Sequence, residues 1–309
     1  PVSTVSQTEY EYFLFNQVYG DNPSFVDAAF DAVKDTNVVQ IFTTGNRDFA
    51  NPYYRPLYPY FNPDAEKNWI AVGGIMVSEE KGENGETKYE VWKDTNEAGL
   101  AKWWTVTAPS RTIYSSKVDL ETGDPIYGNS SGTSMAAPHV AGAMTVLMSR
   151  YQDMSAVQVR DVMFTTATHT NPDGSKYKDW TAAEGEVDIR YGWGTPDLEK
   201  GMYGLGQLLG HFDYNMATTK LDVWSNDISQ VALDQRERED LAWKAAAEKW
   251  LKNPTLTLGD EYTAEEKELL GEVLLDTDED VIGLTDEQEK VSEEDAIAWR
   301  TEYYNKRLA

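Results

Sequence analysis

Short apolar runs alternate with periodic segments along the first two thirds of the chain. The runs have the length of β-strands and are bounded by polar or turn residues: residues 38–46, 69–74, 105–110 and 113–115. Segments 24–34 and 157–167 instead place apolar residues three and four positions apart, which predicts amphipathic helices. Strands that alternate with helices are typical of α/β domains with a mainly parallel sheet. We therefore predict an α/β domain.

The pattern changes in the last third of the chain. Residues 225–253 space apolar side chains among charged ones as a helix does, and residues 263–275 and 292–308 predict two more helices with capping residues at their starts. This part is rich in acidic residues, and the simplest interpretation is a solvated helical hairpin. We predict two units, an α/β domain over residues 1–210 and an acidic helical appendage over residues 211–309.

Composition narrows the function classes. The net charge of −26 disfavours binding to nucleic acids or to anionic membranes. No apolar stretch reaches the length of about 18 residues that a membrane-spanning helix needs, so we expect no membrane insertion by this chain. The chain has no cysteine, which excludes a disulfide framework and thiol catalysis.

Residues 132–142 carry the strongest chemical signal, Gly-Thr-Ser-Met-Ala-Ala-Pro-His-Val-Ala-Gly. Gly132 permits a tight turn into a helix, and Ser134 then lies in the first helical turn, where unpaired N–H groups favour a developing anion. This run resembles the nucleophile segment of subtilisin-like serine proteases, the subtilases, at every position of the family's pattern. The resemblance implies that Ser134 is the nucleophile of a serine endopeptidase that hydrolyses polypeptides through an acyl-enzyme.

A second segment agrees with this family. Residues 38–46 end in Gly-Asn and resemble the subtilase strand whose terminal Asn supplies the side-chain donor of the oxyanion hole. Taken alone, a Gly-Asn pair after a strand is more often a simple turn, because both residues tolerate left-handed backbone conformations. The resemblance implies that the Asn46 side chain binds the oxyanion together with the backbone N–H of Ser134.

The resemblance also implies a pocket for the substrate side chain. Thr43, Thr44 and Gly45 would line part of it, and the opposing strand is expected just before Pro1, so the sequence does not indicate selectivity. The Tyr-rich residues 53–61 either form the floor of this pocket or pack in the core.

The likeness covers residues from about 36 to 205. Residues 69–74 and 105–115 resemble the strands that precede the nucleophile helix, and residues 191–196 resemble the turn before the closing helix. Ser110 departs from the pattern, because the family usually has Gly after Ala-Pro, and this affects the expected turn geometry. The fold implied is an incomplete subtilisin-like domain, a doubly wound α/β structure on a mainly parallel sheet.

The base of a catalytic triad is not evident in the chain. Subtilases carry the triad Asp and His ahead of the oxyanion Asn, and no His precedes Asn46. His139 lies on the nucleophile helix but faces away from Ser134, and His169 and His211 lie at a helix end and in a Gly-rich segment. We therefore expect the Asp and His on an upstream segment of the same protein outside this chain. The chain alone should be nearly inactive.

One acidic run has the spacing of a calcium-binding loop. Asp276, Asp278, Asp280 and Glu287 occupy ligand positions of an EF-hand, but Val281 stands where the sharp turn needs Gly. A chain so rich in acidic residues produces such spacings by chance. We predict no metal site and no required cofactor, and calcium stays an unsupported alternative.

A weaker resemblance concerns the type of protease. Four segments resemble the passenger of bacterial autotransporter subtilases: residues 190–198, 202–206, 224–228 and 300–304. This implies a protein secreted from, or exposed on, a Gram-negative cell, with residues 211–309 as a linker toward a stalk. The alternative is a catalytically inactive surface scaffold or adhesion module that keeps the subtilase fold.

Overall fold

A computed structural model describes residues 25–203, 227–255, 258–270 and 293–309. The strands in these residues are β1 Gln40–Thr43, β2 Trp69–Lys81, β3 Thr87–Val91, β4 Thr105–Pro109, β5 Ile113–Val118 and β6 Pro125–Ser130. The helices are α1 Phe25–Asp31, α2 Tyr54–Phe61, α3 Thr133–Arg150, α4 Ala156–Thr165, α5 Leu198–Tyr203, α6 Asp227–Lys252, α7 Ala264–Leu269 and α8 Glu293–Leu308. Two 3₁₀ helices span Pro63–Asn68 and Gly99–Trp104. The expected α/β class is confirmed.

The main sheet is built around β2. The first part of β2 lies between β1 and β4 and is parallel to both, and its second part pairs antiparallel with β3. This confirms the mainly parallel sheet. β2 extends to Lys81, beyond the predicted residues 69–74, because β3 supplies hydrogen-bond partners for its second part.

The core of the α/β domain lies against β2. Ile70, Ala71 and Val72 are fully buried, as expected for a parallel strand that is covered on both faces. Helix α3 packs on all three parallel strands and buries Val140 and Leu147 among the small residues of its inner face. The helix that carries the nucleophile motif is therefore fixed to the centre of the sheet.

Strands β5 and β6 form a separate antiparallel hairpin that leads directly into α3. The sequence predicted only its beginning, at residues 113–115. The rings of Tyr114 and Tyr127 stack on each other at a centroid distance of 6.0 Å on an exposed face of this hairpin.

The C-terminal helices pack on one another and on the α/β domain. Trp243 and Trp250 of α6 are buried against the ring of Tyr304 of α8. The preceding residue, Tyr303, donates from its hydroxyl to the backbone oxygen of Tyr60 at 2.8 Å. This packing differs from a solvated hairpin, because the helical spacing of the aromatic residues places them on faces that meet. The boundary between residues 210 and 211 stays a prediction, since it lies outside the described residues.

Ion pairs join α6 to the α/β domain. The guanidinium of Arg236 donates to both carboxylate oxygens of Glu66, at 2.7 and 2.6 Å, and both side chains are largely buried. The ammonium of Lys102 lies 2.7 Å from the carboxylate of Glu239. None of the described helices combines the length and the apolar composition that crossing a membrane requires.

Candidate active site

Ser134 lies in the first turn of α3. The chain enters this helix through Gly132, whose φ of +148° suits a residue without a side chain, and the Gly132 N–H donates to the backbone oxygen of Ser110 at 2.8 Å. The Met135 N–H donates to the Gly132 oxygen at 2.9 Å and so closes the first turn. The Ser134 side chain is exposed, which leaves its hydroxyl open to a substrate.

Asn46 follows β1 and is connected to the start of α3. Its side-chain Oδ1 accepts hydrogen bonds from the backbone N–H of Thr133 at 2.8 Å and from the Thr133 hydroxyl at 2.9 Å. Because Oδ1 is held in this way, the Nδ2 group of the exposed Asn46 side chain is left to donate elsewhere.

Two N–H donors border the same space beside Gly132. A Cβ atom placed on Gly132 would lie 3.7 Å from Asn46 Nδ2 and 3.7 Å from the backbone nitrogen of Ser134. An oxyanion hole requires preorganised donors that converge on one position. The unpaired N–H groups at the start of a helix can supply such a donor. The structure thus brings the two expected donors, Asn46 and Ser134, together.

Thr133 is the site residue that sequence reasoning missed. It stands inside the nucleophile motif, but its hydrogen-bond partner Asn46 is 87 residues away in the chain. The available signal was a hydroxyl residue directly before Ser134. Nothing in the local pattern indicates that this hydroxyl donates to an amide in the loop after β1.

The three expected pocket residues lie at the end of β1. Thr43 is half-buried, whereas Thr44 is fully buried with its hydroxyl 3.5 Å from the Thr95 hydroxyl. Gly45 is buried with a φ of +120°, and the ring of Tyr53 lies directly against it. Their contact with a substrate stays a prediction.

The Tyr-rich segment forms helix α2, and much of it packs in the core. Tyr54, Leu57 and Tyr58 are almost completely buried. Burial and a hydrogen bond to Asp27 raise the pKa of the Tyr58 hydroxyl far above its usual range. Packing therefore accounts for these three residues without a role as a pocket floor.

The serine that departs from the family pattern is accommodated by its neighbours. Ser110 is fully buried, and its N–H and hydroxyl both donate to the Ile75 oxygen, at 3.0 and 3.1 Å. The space for its side chain comes from Gly74, because a Cβ there would lie 2.4 Å from Ser110 Oγ. The turn before Gly132 is thus held by Ser110 rather than loosened by it.

The described histidines have partners of their own. His139 is exposed on α3, and its Nδ1 lies 2.7 Å from the Met135 oxygen of the preceding turn. His169 stacks on Trp180 at a centroid distance of 4.1 Å, and burial lowers its pKa. His211 lies outside the described residues.

The acidic run 276–287 with the calcium-loop spacing also lies outside the described residues. In the part of the chain that the structure describes, no group of three or more His, Asp or Glu side chains is arranged to hold a metal ion.

Comparison with known proteins places this chain in a family. The subtilase family model matches residues 3–194. Serotype-specific antigen 1 of Mannheimia haemolytica is 31% identical over 198 residues, which are 63% of this chain and 19% of that protein. The autotransporter lipoprotein NalP of Neisseria meningitidis serogroup B is 32% identical over 206 residues, 64% of this chain and 17% of that protein.

A third relative is the extracellular serine protease of Serratia marcescens, which is 31% identical over 182 residues, 53% of this chain and 15% of that protein. The chain spans less than a fifth of the length of these curated relatives. Together with the α/β domain on a mainly parallel sheet, the family match defines a subtilisin-like serine peptidase scaffold. The chain belongs to the subtilase family.

Proposed function

We propose that this chain supplies the nucleophile and the oxyanion donors of a serine endopeptidase that acts on polypeptides. The Ser134 oxygen attacks the scissile carbonyl, the negative charge of the tetrahedral intermediate is bound by Asn46 Nδ2 and the Ser134 N–H, and loss of the amine leaves an acyl-enzyme on Ser134. The observation that carries this proposal is the anchoring of Asn46 Oδ1 on Thr133, which leaves Nδ2 as a donor beside Ser134. Thr43, Thr44 and Gly45 border the substrate in this proposal.

The hydroxyl of Ser134 needs a base, because a serine hydroxyl is a weak nucleophile at its ordinary pKa. We propose that a His from an upstream segment of the same protein, outside this chain, takes the Ser134 proton and gives it to the leaving amine, and that an upstream Asp orients this His. Two observations support this. No His precedes Asn46 in the chain, and both His139 and His169 lie against other groups.

We further propose that the protein works outside the cytoplasm, secreted from or attached to a Gram-negative cell, as part of an autotransporter. The support comes from the relatives, of which one is named an autotransporter lipoprotein and another an extracellular serine protease. The strongly negative net charge fits a protein that does not bind nucleic acid.

A fluorophosphonate probe tests the proposed chemistry, because it reacts with activated serine hydroxyls. The upstream-extended protein should be labelled, its Ser134→Ala variant should not, and the 309-residue chain should be labelled far more slowly. Ser149→Ala is the matched control, since Ser149 is an exposed serine on the same helix. If the folded extended protein is not labelled, the enzyme proposal is wrong and the inactive scaffold is favoured.

A further inference from the structure

A second asparagine, Asn96, holds the loop that carries Asn46. The backbone N–H of Asn96 donates to the Gly45 oxygen at 3.0 Å. The Asn96 side-chain Oδ1 accepts from the backbone N–H of Arg47 at 2.9 Å and from that of Phe49 at 3.4 Å. The residues directly before and directly after Asn46 are therefore both bound to Asn96.

Asn96 is itself fixed to the sheet. It is fully buried, and its neighbour Thr95 accepts a hydrogen bond from the Gly74 N–H of β2 at 3.0 Å. The adjacent backbone adds two more hydrogen bonds to the loop, Asp48 N–H to the Asp94 oxygen and Glu97 N–H to the Phe49 oxygen. The loop around Asn46 is thus connected to β2 through Thr95 and Asn96, both of which are buried.

The side chain of Asn96 fits this acceptor role better than a role in stability alone. Among the residues that the structure describes, its buried Nδ2 group has no hydrogen-bond partner. That group lies against Gly45, where an added Cβ would be 2.5 Å from it. A buried donor without a partner is destabilising, so such a residue calls for a reason beyond stability. The hydrogen bonds that its Oδ1 accepts from the two N–H groups provide that reason.

We propose that Asn96 is a positioning residue for the oxyanion donor Asn46. By binding the Gly45 oxygen and the Arg47 N–H, Asn96 fixes the peptide planes on both sides of Asn46, so that its Oδ1 stays on Thr133 and its Nδ2 faces the oxyanion. The catalytic consequence rests on the proposed function. The effect on the loop does not, and it can be measured without activity.

Hydrogen exchange on the 309-residue chain tests the effect on the loop. Asn96→Ala should speed exchange of the Arg47 and Phe49 amides by about tenfold or more, because each loses its acceptor. Peptides from the later turns of helix α3, after Val140, should keep their exchange rates, because they make no contact through Asn46. The matched control is Asn171→Ala, since Asn171 is also buried and its Oδ1 accepts a backbone N–H, that of Tyr89 at 2.9 Å. The control should speed exchange of the Tyr89 amide and leave exchange of the Arg47 amide unchanged.

Asn96→Ser repeats the test if the alanine variant does not fold, because a serine hydroxyl is too short to reach both N–H groups. Unchanged exchange of Arg47 and Phe49 in a folded Asn96 variant would overturn the proposal.

A double-mutant cycle tests the catalytic consequence in the upstream-extended protein. Loss of an oxyanion donor typically costs about 10²- to 10³-fold in rate, so Asn46→Ala should slow fluorophosphonate labelling by that order. Asn96→Ala should slow labelling by about tenfold through misplacement of Asn46. In the Asn46→Ala background, however, Asn96→Ala should not slow labelling further, because the Asn46 amide that Asn96 positions is gone.

An equal slowing by Asn96→Ala in both backgrounds would show a general structural role and overturn the positioning proposal. If the unsubstituted extended protein is not labelled at all, the proposed function fails. The exchange experiment still decides whether Asn96 holds the loop.

Discussion

Asn46 and Thr133 are joined by two hydrogen bonds to one atom, since Asn46 Oδ1 accepts both the backbone N–H and the hydroxyl of Thr133. This contact connects the end of β1 to the first turn of α3. Because the amide oxygen is held on Thr133, the NH₂ group of Asn46 lies on the other side of the amide, in the space beside Gly132 that the Ser134 nitrogen also borders. The orientation of the proposed oxyanion donor is therefore set before a substrate arrives.

Thr133→Val tests this orientation. Valine keeps the shape of threonine but removes the hydroxyl, so Asn46 Oδ1 retains only the backbone N–H. We expect labelling of the extended protein to slow about fivefold, the equivalent of about 1 kcal/mol for one lost hydrogen bond. Thr145→Val is the control, because Thr145 is an exposed residue of the same helix whose hydroxyl donates to the Ala141 oxygen. Equal rates for both variants would show that the hydroxyl of Thr133 does not orient Asn46.

Gly45→Ala should be among the most destabilising single changes near the site. Its φ of +120° disfavours any side chain, and the new methyl would lie 2.5 Å from Asn96 Nδ2 and from a ring carbon of Tyr53. A left-handed backbone costs about 1 kcal/mol and an overpacked contact about 1–3 kcal/mol more. Unfolding in urea, followed by tryptophan fluorescence, measures the sum.

Gly85→Ala separates the two causes in that experiment. Gly85 also has a positive φ, +88°, but a Cβ there would meet nothing within 4 Å. The free energy of unfolding of Gly85→Ala should fall only by the backbone contribution, about 1 kcal/mol. A loss for Gly45→Ala no larger than that for Gly85→Ala would contradict the close packing around Gly45.

Arg236→Met tests whether the appendage is an integral part of the fold. Glu66 would remain buried without its bidentate partner, and breaking a buried ion pair in this way costs about 3–5 kcal/mol. Arg238→Met is the control, because Arg238 pairs with Glu186 with 62% of its side chain exposed, and such pairs contribute about 0–1 kcal/mol. Urea unfolding of both variants gives the comparison. Similarly small decreases in the free energy of unfolding for both variants would mean that Arg236 does not hold α6 on the α/β domain.

The same ion pair predicts a dependence of stability on pH. Burial by itself would raise the pKa of Glu66, but the charge and the hydrogen bonds of Arg236 outweigh it and lower the pKa below the ordinary value of 4.5. A carboxylate whose pKa is lower in the folded state stabilises the fold above its unfolded pKa and loses this contribution as the pH falls through the folded pKa.

Glu66→Gln measures this contribution. The difference in unfolding free energy between the unsubstituted chain and the variant should be constant near neutral pH and shrink as the pH falls below 4.5. Glu184→Gln, at a side chain that is 86% exposed, should show a small difference throughout. A difference for Glu66→Gln that grows in acid would contradict the direction of the pKa shift.

The sequence predicted those parts of the site that depend on local pattern. Ser134 and Asn46 stand in segments whose residues resemble subtilase motifs, and the structure places their N–H donors around one position. Thr133 and Asn96 could not be predicted, because their roles consist of contacts to a loop 87 and about 49 residues away in the chain. Such contacts follow from strand pairing rather than from periodicity.

In the C-terminal helices, too, the local pattern predicted the elements but not the contacts between them. Apolar spacing predicted a helix over residues 225–253, and α6 spans Asp227–Lys252. The pairing of Arg236 with Glu66, 170 residues earlier, needed the three-dimensional arrangement. Helical periodicity indicates that a face is apolar, but it does not say which surface will cover it.

The central claim is that Ser134 is the nucleophile, and peptide mapping of a fluorophosphonate adduct on the upstream-extended protein tests it most directly. The account predicts a single adduct on the peptide that contains Ser134, absent in Ser134→Ala and formed about 10²-fold more slowly in Asn46→Ala. An adduct on another serine, or none on the folded protein, would contradict it.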